Sequence, residues 1–197
     1  MRQGTFHYAL IQRKSLGGIL TVTREQPCLV VSNDRYNGLP NTKHVWVLRT
    51  RGDGQALSFA ALDHVPQADL DPEELDSASK EYVSDALDWV RWGISGDQPW
   101  RNTPMELQEA HREALRVGDH LRQGDIVTDG HGTAVVISGP ALNSIPGGDV
   151  VWALGVVSKE EISLGKVINL PTSGLTKIDA MREETRAGLL AAVLDIL

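Results

Sequence analysis

Thr50 closes an apolar segment, and three arginines stand near it: Arg24 across a preceding turn, with Arg49 and Arg51 on either side. A threonine hydroxyl can donate a hydrogen bond to a phosphate oxygen, and a guanidinium can grip the same group through two parallel bonds. With a proton acceptor nearby, such a set stabilises charge developing on phosphorus. Arg35 and Lys43 add positive charge upstream. The ordinary reading of Thr50 is a β-favouring strand residue, and that of the arginines is a solvated, association-blocking strand edge. Three histidines are candidate bases, none of them well placed. His44 lies six residues from Thr50, roughly 20 Å along an extended strand. His64 falls in a loop, and His131 falls in a later turn. The histidines are scattered without zinc-ligand spacing, so neither a metal nor a cofactor is expected. Cys28, the single cysteine, sits in an apolar run and reads as a small core residue.

These side chains depend on the stretch from Gln26 to Thr50, which reads as a buried strand, a polar turn and a second strand. A period of two puts His44, Trp46, Leu48 and Thr50 on one face of the second strand and Val45, Val47 and Arg49 on the other. Arg49 and Thr50 should therefore point apart unless the strand bulges. Thr50 would then recruit Arg24 or Arg51. The stretch recurs without a gap from Gly132 to Val156: Leu29-Val30-Val31-Ser32 matches Val135-Val136-Ile137-Ser138, and Val45-Trp46-Val47-Leu48 matches Val151-Trp152-Ala153-Leu154. Repetition at this length marks an internal duplication. Asn37 and Asn143 recur and read as turn-stabilising, while Trp46 and Trp152 read as paired core residues.

A strand ending Val30-Val31-Ser32-Asn33-Asp34, a turn with Tyr36-Asn37 and a strand ending in Thr50 resemble the MazF/PemK toxin family. The second copy adds Arg122-Gln123-Gly124-Asp125-Ile126-Val127, similar to the start of that family, and Lys14 to Leu20 is the matching entrance proposed for the first copy. The resemblance implies an α/β chain, mainly β barrel plus helices: two SH3-like barrels forming an internal pseudo-dimer in one polypeptide. It further implies a metal-independent endoribonuclease cutting single-stranded RNA, with an antitoxin protein as partner. By position the family threonine falls on Thr50, while the family arginine falls on Gln26. The corresponding second-copy positions hold Gly132 and Val156. One residual site is thus expected, with Thr50, Arg24 and Arg51 catalytic and Arg35, Lys43, Arg49 and Gln26 contacting RNA. A degenerate, non-catalytic binding protein is the alternative. A weaker one rests on Trp92-Gly93-Ile94, which resembles the end of CcdB, a gyrase-poisoning toxin, and requires Trp92 and Ile94 to be exposed.

Length and charge bound these readings. The chain has 197 residues, 41% of them hydrophobic, and a net charge of −7 that argues against broad nucleic-acid affinity. Residues 1–60 are nevertheless locally basic, and an acidic run follows around Pro72. No apolar run approaches the ~20 residues of a membrane span and the start lacks a signal-peptide core, so a cytoplasmic protein with no membrane partner is expected. The expected units are a first copy over 1–97, a linker and bridging helix over 98–118, and a second copy over 119–197. Asp71-Pro72-Glu73-Glu74 predicts a capped helix start. Its buried stripe would be Leu75, Ala78, Tyr82, Ala86, Trp89 and Val90. Pro104 to Arg116 predicts a second helix with Met105, Leu107, Ala110, Ala114 and Leu115 on its apolar side. A last helix is expected from Asp179 to Leu197.

Overall fold

The computed structural model describes residues 1–15, 18–50, 57–118, 120–158 and 161–197, with the side chains of 11–24 and 57–61 outside the description. Two open, five-stranded antiparallel sheets carry the fold. The first contains β1 (Thr5–Ser15), β2 (Gly18–Val30), β3 (His44–Thr50), β4 (Leu57–Pro66) and β5 (Asp76–Ser77), in the order β4-β3-β2-β1-β5. A single turn of helix, α1 (Asp34–Asn37), sits between β2 and β3, and α2 (Lys80–Ser95) follows β5. The bridging helix α3 (Met105–Val117) leads to β6 (Asp125–Thr128), β7 (Thr133–Val136), α4 (Pro140–Asn143), β8 (Val150–Ser158), β9 (Glu161–Pro171), β10 (Thr176–Ala180) and α5 (Glu183–Leu194). The second sheet runs β10-β6-β7-β8-β9. Read from the other edge, that is the first sheet's order.

The duplication extends to individual hydrogen bonds. Trp46 N donates to Ser32 Oγ at 3.0 Å, and Trp152 N donates to Ser138 Oγ at 3.0 Å. Asn37 Nδ2 donates to the Ser32 carbonyl at 2.9 Å and Asn143 Nδ2 to the Ser138 carbonyl at 3.1 Å. The recurrent asparagines are therefore the turn braces that the repeat implied. The entrance to the first copy, however, is Arg2-Gln3-Gly4 rather than Lys14 to Leu20. Gly4 and Gly124 both adopt positive φ, 83° and 89°, a region open to glycine without strain. Their N–H groups bond the Val30 and Val136 carbonyls at 2.9 and 2.8 Å. Thr23 to Gln26 is polar enough to read as a turn, but β2 runs through it in a continuous ladder against β1.

Each sheet buries both faces. One face of the first sheet packs Ala9, Cys28, Val30, Val45, Val47, Val65 and Leu70 into a small core of its own. The second sheet does the same with Val127, Ala134, Val136, Val151 and neighbours. The opposite faces meet in a shared core that holds Trp46, Leu48, Trp152, Leu154, residues of α2 and the chain end Val193, Ile196 and Leu197. The helix ends are exchanged across it: Gly139 N donates to the Gly93 carbonyl, and Asn33 N donates to the Ile196 carbonyl, both at 2.7 Å. Gln3 Nε2 ties Val31 and Leu197 carbonyls at 2.6 and 2.8 Å, and Gln123 Nε2 ties Ile94 and Ile137 carbonyls at 2.5 and 2.7 Å.

Three helical expectations change. The acidic run does not open α2: Asp71 caps a local turn by accepting from Glu73 N, and Thr5 and Phe6 recruit Asp76 and Ser77 as a fifth strand. Ser79 is the actual cap, accepting from Tyr82 N, and Leu75 is exposed. Residues 176–180 likewise pair with β6, which delays α5 to Glu183. The bridging helix lies within one residue of its expected end, but its apolar side is not buried: Met105 is 81% exposed, and only His111 is buried, donating from Nε2 to the Ala141 carbonyl at 2.7 Å. The linker tryptophan Trp100 does dock, edge-on to Trp89 at 5.3 Å. No helix among the described residues is long and apolar enough to cross a membrane.

Candidate functional site

The end of β3 is positioned by its neighbours. Cys28 pairs with Arg49 across the β2–β3 ladder, and the β3–β4 register shifts between Leu48 and Thr50. At this irregularity the side chains of Gln26 and Thr50 each bond the other's strand. Thr50 is 1% exposed, and its hydroxyl donates to the Pro27 carbonyl at 2.9 Å. Gln26 Nε2 in turn donates to the Thr50 carbonyl. The two residues thus clamp the last turn of β3 onto β2. A threonine whose proton is committed to a buried carbonyl cannot donate that proton to a phosphate without breaking the clamp.

Arg49 projects from the other side of the strand, as the alternation predicts, and its Nε lies 4.0 Å from Asp63 Oδ2. The side chain is 27% exposed, and Nε is buried without a hydrogen-bond partner among the described residues. Arg24's side chain and all of Arg51 lie outside the described residues, so the expected pairing of either with Thr50 has no structural counterpart to report. The remaining candidates are elsewhere. Arg35, on α1, is exposed and stands 3.9 Å from Asp195. Lys43 is exposed immediately before His44, at the end of β3 opposite Thr50 and roughly 20 Å from it. The five described candidates therefore do not form one cluster: Gln26, Arg49 and Thr50 lie at one end of β3, and Arg35 and Lys43 at the other.

Sequence reasoning missed the junction between the sheets. His44 and His64 rings stand 5.1 Å apart, His64 Nδ1 donates to the Val167 carbonyl, and Trp46 Nε1 donates to the Leu164 carbonyl at 3.0 Å. His64, read from sequence as a loop residue, is buried in β4 and acts as a cross-sheet tie. Its alternation with Leu62 on a strand extended to Pro66 was the available signal. Trp92-Gly93-Ile94 is likewise a junction element. Ile94 is buried, and a Cβ on Gly93 would sit 2.4 Å from the Trp152 ring, so the tripeptide lacks the exposed surface that gyrase contact requires.

Cys28 behaves as the core residue expected. Burial first, and the nearby Asp63 carboxylate second, raise its thiol from 9.0 to about 12. Because the folded value is raised, the stabilisation is fully present below pH 9 and is lost as pH rises toward about 12. Chemical denaturation from pH 8.5 to 11 should therefore show a decline approaching ~1.4 kcal/mol per pH unit above 9. Cys28→Ala should flatten that slope, and an unchanged slope in the variant would assign the decline to other groups. Among the described residues no group of three or more His, Cys, Asp or Glu side chains is placed to hold a metal ion. No family model matches the chain, and no curated protein or solved structure is significantly similar to it.

Proposed function

We propose that this chain is a single-polypeptide pseudo-dimer of two SH3-like, MazF/PemK-type units, each an open sheet, that serves as a protein-binding module, its family-type RNA chemistry no longer in use. The duplicated strand order, the separate small core on the inner face of each sheet and the exchanged helix ends support the pseudo-dimer. One observation carries the functional part. Thr50 and Gln26, the two positions to which the resemblance would give catalysis, spend their polar groups on each other's strand. The separation of Lys43 and Arg35 from Thr50 adds to this, since phosphate stabilisation needs charge converging on one point. The net charge of −7 favours a protein over a nucleic acid as partner.

A residual endoribonuclease is the second reading, and Arg49 is the observation behind it: its buried Nε lacks a hydrogen bond among the described residues, at the strand end that carries Gln26 and Thr50. Growth separates the two. Inducing the chain alone in bacteria should leave the growth rate unchanged and equal to that of a Thr50→Ala strain. Growth arrest that disappears with Thr50→Ala would overturn the binding-module reading.

A further inference from the structure

The two copies differ at one place where each supplies the other's control. In the first copy Gln67 reaches back across the α1–β3 turn, its Nε2 donating to the Asn37 carbonyl at 3.1 Å and the Thr42 carbonyl at 3.4 Å. Its own N–H bonds the Lys43 carbonyl at 2.8 Å. In the second copy Thr172 N bonds the Asp149 carbonyl, also at 2.8 Å, which makes Thr172 the counterpart of Gln67 and Asp149 the counterpart of Lys43. The Thr172 side chain ends at its γ atoms and carries no amide to cross the turn. A groove of about 570 Å³ opens there between α3 and the α4–β8 turn.

The groove is specific in its chemistry. Its apolar wall is Ala114, Val117 and Leu121 on one side and Ile145 and Pro146 on the other. Val117 is 61% exposed and continues the uncovered stripe of α3. The groove's polar lining is Glu113, His120, Asn143, Ser144, Asp149 and Thr172. Of its two carboxylates, Glu113 is held by Arg116 at 2.6 Å, and only Asp149 has no ion-pair partner among the described residues. Asn143, 7% exposed, lines it too, and the Asn143 and Gly148 carbonyls are the counterparts of the two that accept from Gln67 in the first copy. Where the first copy has a lysine and an amide donor, the second has a carboxylate and an empty place for a donor.

We infer that this groove binds a peptide segment of a partner protein that presents an arginine or lysine between apolar residues. The cation takes the position that the Gln67 amide fills in the first copy, against Asp149 and the Asn143 turn, and its apolar neighbours cover Val117, Leu121 and Ile145. This identifies the surface and the partner chemistry for the binding-module reading and rests on it.

The test uses the full chain and fluorescent heptapeptides with a central arginine flanked by leucine and alanine, beside the same peptides with a central glutamate. Anisotropy should show arginine peptides binding at least about tenfold more tightly. Thr172→Gln, which restores the first copy's amide, should weaken that binding by about tenfold. Asp149→Lys should do the same, with both variants melting as the parent does. Equal affinity for arginine and glutamate peptides would overturn the inference, as would unchanged binding in both variants. Saturation by arginine amide at the same concentration as the peptides would also overturn it, in favour of a small-molecule site. RNA cleavage by the chain would instead defeat the binding-module reading and leave the peptide result standing.

Discussion

Trp152→Ala is expected to cost about 3–5 kcal/mol and to lower the thermal midpoint by roughly 10 °C. Trp152 has no exposed surface and lies in the core shared by both sheets. Its ring is held so closely that a methyl on Gly93 would stand 2.4 Å from it. The void left by alanine cannot collapse, because α2 is fixed there by the Gly93–Gly139 backbone bond. Trp46 occupies the same place in the first copy but donates from Nε1 to Leu164, whereas Trp152 Nε1 has no partner among the described residues. Trp46→Phe should therefore cost about 1–2 kcal/mol more than Trp152→Phe, since it also strands a carbonyl. Urea unfolding followed by circular dichroism reads both. A Trp152→Ala loss below about 1 kcal/mol would mean that the shared core does not hold the halves together.

Gln3→Ala and Gln123→Ala are each expected to cost about 2 kcal/mol, and the double variant about 4 kcal/mol. Each carboxamide satisfies two backbone carbonyls, one on its own copy and one at the end of the other copy's helix. Removing either leaves carbonyls facing a gap that the end of a helix cannot shift to fill. Additivity follows from the absence of shared partners. A double variant as stable as either single one would show that the helix ends are held by their apolar residues alone.

Much of this architecture is legible in the chain because the repeat carries its own register. The Ser32 and Ser138 hydroxyls that accept from the Trp46 and Trp152 N–H groups, the Asn37 and Asn143 braces and the tryptophan pair itself fall where the ungapped alignment puts them. Strand β3 and the bounds of the bridging helix also fall where the sequence puts them, although the helix's apolar side stays uncovered. What the sequence hides are choices decided by pairing. Asp71 to Ser77 has a strong capping signature, yet β1 offers ladder bonds at Thr5 and Phe6 that outweigh it. The first copy's true entrance, Arg2-Gln3-Gly4, repeats Arg122-Gln123-Gly124 residue for residue, but the long β1–β2 arm separates it from the strands it serves. The site was the least legible part. Composition around Thr50 suggests converging charge, while the direction of a hydroxyl or an amide depends on which carbonyl lies nearest, and for Thr50 and Gln26 those carbonyls are in the adjoining strand.

The most direct measurement incubates the purified chain with labelled single-stranded RNA in the presence of chelator, beside Thr50→Ala. The structural assignment of Thr50 predicts intact RNA with both proteins, and a Thr50→Ala chain that is less stable by about 1–2 kcal/mol because the Pro27 carbonyl loses its donor. Fragments ending in cyclic phosphate that appear with the parent and vanish with Thr50→Ala would contradict it and make Thr50 a catalytic residue.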